Sequence, residues 1–187
     1  MPIVGSLAGA SIRGFGGLSV PPVVLRTFDA IATYTAASTP STITFSSIPQ
    51  TYKHLQIRAV LRNTGASNYA TISINSGSVR QNWFSSTAGT VSVTMTTSSD
   101  IVLSNISTAP TTYYGGNILD IEDYASTTRN KSVRNIGGFQ TTQTSTGGIF
   151  AFASLLSVNT GAVTSITLTP GAGNFAQYSS ATLYGWA

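Results

Sequence analysis

A chain of 187 residues suffices for one domain with its own core and is short for two. Only 7% of residues are charged, against about 25% in an ordinary domain, while 41% are hydrophobic and nearly three in ten are Ser or Thr. That balance excludes a disordered polar tract and favours strands and turns. The absence of cysteine excludes disulfides and thiolate metal sites. The net charge of +4 arises from nine basic and five acidic residues with no basic run, so no nucleic-acid footprint is expected.

Residues 1–22 are glycine-rich, end on Pro21 and Pro22, and hold isolated apolar residues with no period of 2 or 3.6. The segment lacks a basic stretch ahead of its apolar part, since its first positive charge is Arg13; it is taken as mature sequence and not as a signal peptide. Such a stretch cannot build a core of its own. It suits an extended arm that docks on a partner through Ile3, Val4, Leu7, Ile12, Arg13, Phe15 and Leu18. The glycines around Phe15 do not form a phosphate loop, because no Lys-Ser/Thr ending follows.

From residue 23 onward short apolar runs alternate with turn signals. Residues 24–36 read as one long strand or a strand pair. Residues 41–48 alternate, with Ile43 and Phe45 on one face. In 54–62, Leu55, Ile57, Ala59 and Leu61 point one way and His54, Gln56, Arg58 and Arg62 the other. Ala70, Ile72 and Ile74 turn inward in 69–75, and Val91, Val93 and Met95 in 90–97. Further strands are expected at 79–85, 100–106, 117–125, 131–140, 147–158, 163–170 and 177–187. No stretch approaches the ~18 apolar residues of a membrane-spanning helix. The fold class expected is all-β: an antiparallel β-sandwich, jelly-roll-like, over residues 23–187, with the extended N-terminal arm ahead of it. The run "IFAFASLL" is apolar on both faces, which predicts cover by the opposite sheet and by a neighbouring subunit, with Phe150 and Phe152 in that contact beside His54 and Arg58.

The candidate chemistries are thin. His54 is the sole histidine; its strand parity places it on the polar face, and no nucleophile motif accompanies it, so a surface or interface role is expected. Asp120, Glu122 and Asp123 could do glycoside hydrolysis or hold calcium, yet Arg129 and Lys131 follow across an expected hairpin loop and make cross-strand ion pairs the plainer expectation. Trp83, Phe84, Tyr113, Tyr114, Tyr178, Tyr184 and Trp186 could form a sugar-stacking platform; the shared parity of Tyr178, Tyr184 and Trp186 is taken as a buried stripe instead. No catalytic residue, cofactor or metal is expected.

Three blocks carry a resemblance: "SIPQTYKHLQIRAVLRNT", "GNILDIEDYASTTRNKSVRNIGGF" and the closing "VTSITLTPGAGNFAQYSSATLYGWA". In order and spacing they resemble tailed-bacteriophage virion proteins of the tail-fibre, head-fibre or decoration group, as in environmental and cyanobacterial phages. The resemblance covers about residues 40–187. It implies a non-enzymatic jelly-roll module on the outer surface of a virion, assembling as a homotrimer and contacting a major capsid protein or a tail or neck component. A single globular module with a short arm fits a capsid decoration (cement) protein. The alternative is a small tail, fibre or collar component that binds a host glycan. No nucleic acid or membrane partner is expected.

Overall fold

The computed structural model describes residues 28–66, 69–77, 79–87, 90–96, 101–104, 113–140 and 148–186, with the strands between 79 and 104 described as backbone. The described residues form twelve strands: Asp29–Thr35 (β1), Ile43–Phe45 (β2), His54–Leu61 (β3), Tyr69–Ile74 (β4), Val79–Thr87 (β5), Thr90–Thr96 (β6), Ile101–Ser104 (β7), Gly115–Ile121 (β8), Lys131–Gln140 (β9), Gly148–Ser157 (β10), Ile166–Pro170 (β11) and Ser180–Trp186 (β12). They form two antiparallel sheets packed as a sandwich, ordered β1-β12-β3-β8-β9-β10-β5-β6 and β2-β11-β4-β7.

The topology is a jelly roll with two additions. Without β5, β6, β9 and β10, two four-stranded sheets remain: β1-β12-β3-β8 and β2-β11-β4-β7. In these the first strand pairs with the last, β2 with β11, β3 with β8 and β4 with β7, which is the nested double Greek key. The added pairs are inserted between β4 and β7 and between β8 and β11. The β9–β10 pair joins the free edge of β8 and the β5–β6 pair follows on β10, extending that sheet to eight strands.

Alternation explains the core. In β3 the buried residues are Leu55, Ile57, Ala59 and Leu61, as the pattern requires. They meet Leu119 and Ile121 of β8, Val133 of β9, Ala153 and Leu155 of β10 and Leu183 of β12 along the same inner face. The smaller sheet supplies Ile43 and Phe45, Ala70, Ile72 and Ile74, and Ile166 and Leu168. Each of the Val, Leu, Ile and Phe side chains contributes about 1.5–3 kcal/mol on burial.

Strand ends depart from expectation where the backbone turns through the left-handed region. The strand expected through residue 125 stops at Ile121, and residues 122–125 turn, with Asp123 in left-handed backbone (φ 48°). Tyr178, expected to share the last strand, sits in a turn with φ 69° and is 68% exposed. The inward placement of Val91, Val93 and Met95 concerns side chains outside the described residues.

Candidate functional site

Among the described residues several of the few charges lie together. Where β3 begins and β8 turns toward β9, the structure brings together His54, Asp120, Glu122, Asp123, Arg129 and Arg134. Arg129 pairs with Asp123 at 2.8 Å. Glu122 takes Arg134 on one oxygen and lies 3.0 Å from His54 Nδ1 through the other. Gln56 Nε2 donates to Asp120 at 2.8 Å, and its own oxygen accepts from Arg58 Nε at 2.7 Å. His54 Nδ1 has two incompatible partners. When unprotonated it accepts from the Asp123 amide at 3.3 Å; when protonated it donates to Glu122. The expected pairing of the acidic cluster across the hairpin is therefore found for Arg129, and Arg134 replaces the other basic partner.

Lys131 is the exception. It faces the core and is fully buried. Its ammonium donates to the carbonyls of Ser126 (2.6 Å), Arg129 (2.7 Å) and Thr160 (2.9 Å). Burial pushes its pKa below the ordinary 10.5, partly opposed by the Asp123 carboxylate. The lysine thus closes the 126–130 loop onto the chain after β10, and the expected ion pair is corrected to a carbonyl clamp. A sequence cannot signal this, since a lysine at a strand start is ordinarily a solvated charge.

The last strand carries a second correction. Its buried residues are Ala181, Leu183 and Gly185, so Tyr184 and Trp186 lie on the outer face of the eight-stranded sheet. The buried aromatic stripe is not formed. Parity told which residues share a face but not which face is wet; inside, the Tyr52 ring already occupies the space over Gly185. Outside, Phe28 stacks on Tyr184 at 4.6 Å and lies 5.9 Å from Trp186, whose ring is 5.4 Å from His54. The Arg58 guanidinium covers Phe28 at 5.0 Å and Tyr184 at 5.3 Å. Tyr113 and Tyr114 are half-buried, with Tyr114 donating to the Gln177 carbonyl at 2.7 Å. The side chains of Trp83 and Phe84 are outside the described residues.

Across the same outer face the apolar character continues. Arg58, Ile118, Ile136 and Phe152 are successive register partners on β3, β8, β9 and β10, and Val60, Gly116, Gly138 and Phe150 make the next row. Phe150 and Phe152 are nearly half exposed while Ala151, Ala153 and Leu155 between and beyond them are buried. The structure therefore places all four expected contact residues, His54, Arg58, Phe150 and Phe152, on one face. Val60, Ile118, Ile136 and Leu156 join them; pairing register, invisible in the sequence, assembles that set. The expected arm residues Ile3, Val4, Leu7, Ile12, Arg13, Phe15 and Leu18 lie outside the described residues.

A cleft of about 340 Å³ opens beside the charged cluster, lined by Thr51, Tyr52, Lys53, Asp123, Ala125 and Ser126. Its one carboxylate is the one that Arg129 holds. Among the described residues no group of three or more His, Asp or Glu side chains is placed to hold a metal ion. No protein-family model matches this chain, and no curated protein or solved structure matches it either.

Proposed function

We propose that this chain is a non-enzymatic structural protein of a phage particle, in particular a capsid decoration (cement) protein that assembles as a homotrimer on the outer surface of the virion. The observation that carries the proposal is the three-block resemblance over residues 40–187. The jelly-roll body and the solvent-facing Phe150 and Phe152 support it, because a bare apolar face on a β-sandwich suits an assembling subunit. Residues 1–22 then dock on a neighbouring virion protein, such as the major capsid protein or a tail or neck component. Repeated copies let modest single contacts sum by multivalency. Deleting residues 1–22 is expected to leave a folded oligomer that no longer binds particles. Incorporation of the truncated protein at full occupancy overturns the docking arm.

A second reading, a carbohydrate-binding receptor module, is favoured by one feature: the outward-facing shelf of exposed Phe28 on half-buried Tyr184 and Trp186, beside Arg58 and His54. Saturable binding on a glycan array, lost in Trp186→Ala, would put this reading first; no glycan binding removes it.

A further inference from the structure

Six apolar side chains stand in water on the outer face of the eight-stranded sheet: Val60, Ile118, Ile136, Phe150, Phe152 and Leu156, each 41–48% exposed. Five of them are contiguous, since β3, β8, β9 and β10 are neighbours and register puts Ile118, Ile136 and Phe152 side by side with Val60 and Phe150 in the next row; Leu156 stands apart, beyond the row of Asp120, Arg134 and Ser154. A monomer rarely leaves a patch of this kind uncovered. Around it lie Arg58 and Arg134 together with Asp120 and Glu122, so both signs of charge rim an apolar centre. That is the anatomy of a protein contact, and a rim bearing both signs can complement another copy of itself.

Gly116 adds an independent indication. It lies inside β8 on this face, between Val60 and Gly138. Among the described residues a Cβ built there has nothing within 4 Å, whereas one at Gly138 would meet the Ile149 carbonyl oxygen at 2.8 Å. The described residues thus account for the glycine at 138 and not for that at 116. A glycine inside a strand weakens it and often marks a bulge, a bend or a place where a ligand or another backbone comes close; β8 pairs in unbroken register on both sides of Gly116. The footprint also suffices. Five strands, β12, β3, β8, β9 and β10, of 7–10 residues each, spaced ~4.8 Å apart with ~3.3 Å per residue, make a face of roughly 700 Å². A standard contact uses about 600–1,000 Å² per partner.

We infer that the outer face centred on Gly116 and Phe152 is where copies of this chain associate, a second copy bringing its backbone down onto Gly116. The inference deepens the proposed assembly, and it rests on that reading only for the homotrimer.

The test uses the full chain, purified without particles, in sedimentation velocity over a range of concentrations. The wild type is expected to sediment as an oligomer of the 19.4 kDa chain. Gly116→Thr is expected to keep or raise the melting temperature of the fold, because its side chain enters open space and suits a strand, yet to weaken association at least tenfold. Phe152→Glu gives the same dissociation through a different atom set, and it carries the test alone if Gly116→Thr does not fold. A wild type that stays at 19.4 kDa throughout, or variants that associate like the wild type, overturns the inference. So does an oligomer dissolved by deleting residues 1–22 but not by either substitution, which would make the arm the contact. Failure here leaves particle docking through residues 1–22 standing, and failure of that docking leaves this contact standing.

Discussion

Lys131→Met removes one ammonium and keeps the aliphatic stem in place. In the wild type that ammonium satisfies three carbonyls, at 2.6, 2.7 and 2.9 Å, with the side chain wholly out of water. Hydrogen bonds from a charged donor are worth about 1.5–3 kcal/mol each, but the ammonium also loses its hydration. The net loss on substitution is expected at about 3 kcal/mol, which for a chain of this size lowers the melting temperature by roughly 6–12 °C. Urea unfolding followed by tryptophan fluorescence measures the first quantity. Amide exchange of residues 126–130 measures whether the loop has come free. The pH dependence gives a separate check. Burial holds the folded pKa below the 10.5 of the unfolded chain, so the unfolded state binds the proton more tightly between the two values. Stability from this group therefore rises with pH across that window and levels off above 10.5. The gap between wild type and variant widens from neutral pH toward that limit. A variant within ~0.5 kcal/mol of wild type, with unchanged loop exchange, would refute the clamp.

Three further outcomes are expected. Gly185→Ala would set a Cβ 2.5 Å from Cδ2 and 2.9 Å from Cδ1 of Tyr52, displacing the ring whose hydroxyl donates to Asp29 at 3.2 Å; a loss of about 1–3 kcal/mol is expected from such overpacking, and a variant as stable as wild type would show that the ring moves freely. Asn75 holds φ 49°, accepts from the Thr164 and Ser165 amides at 2.8 and 3.0 Å and donates to the Ala162 carbonyl at 2.7 Å. Asn75→Ala is expected to cost about 3 kcal/mol, and Asn75→Asp less because it keeps the acceptor; equal losses in chemical unfolding would contradict the role of the acceptor oxygen. Tyr124→Phe removes the hydroxyl that donates to Pro49 and accepts from the Tyr52 amide at 3.3 Å, for about 2 kcal/mol. Burial raises the Tyr124 pKa above 10, so its share of stability is full below pH 10 and falls as pH rises through the folded value; an alkaline unfolding profile identical in the variant would refute this.

Much of the fold was legible in the residues. The alternation of Leu55, Ile57, Ala59 and Leu61, and of Ala70, Ile72 and Ile74, determined strands and their buried faces, because the two-residue period of a strand is a local property. Low charge and abundant Ser, Thr and β-branched residues determined the all-β class. The run "IFAFASLL" already read as apolar on both faces; the structure assigns Ala151, Ala153 and Leu155 to the buried one and Phe150, Phe152 and Leu156 to the other. Tertiary structure decided the rest. Which side of β12 is wet depended on the Tyr52 ring over Gly185, a contact spanning more than a hundred residues. Whether Lys131 meets acids or carbonyls depended on Thr160 arriving from the far end of β10. The apolar face itself exists because β8, β9 and β10 align Ile118, Ile136 and Phe152. Periodicity is set by each residue and its neighbours, whereas register and sheet order are set by which distant strands find one another, and on that pairing the candidate contact surface of this protein depends.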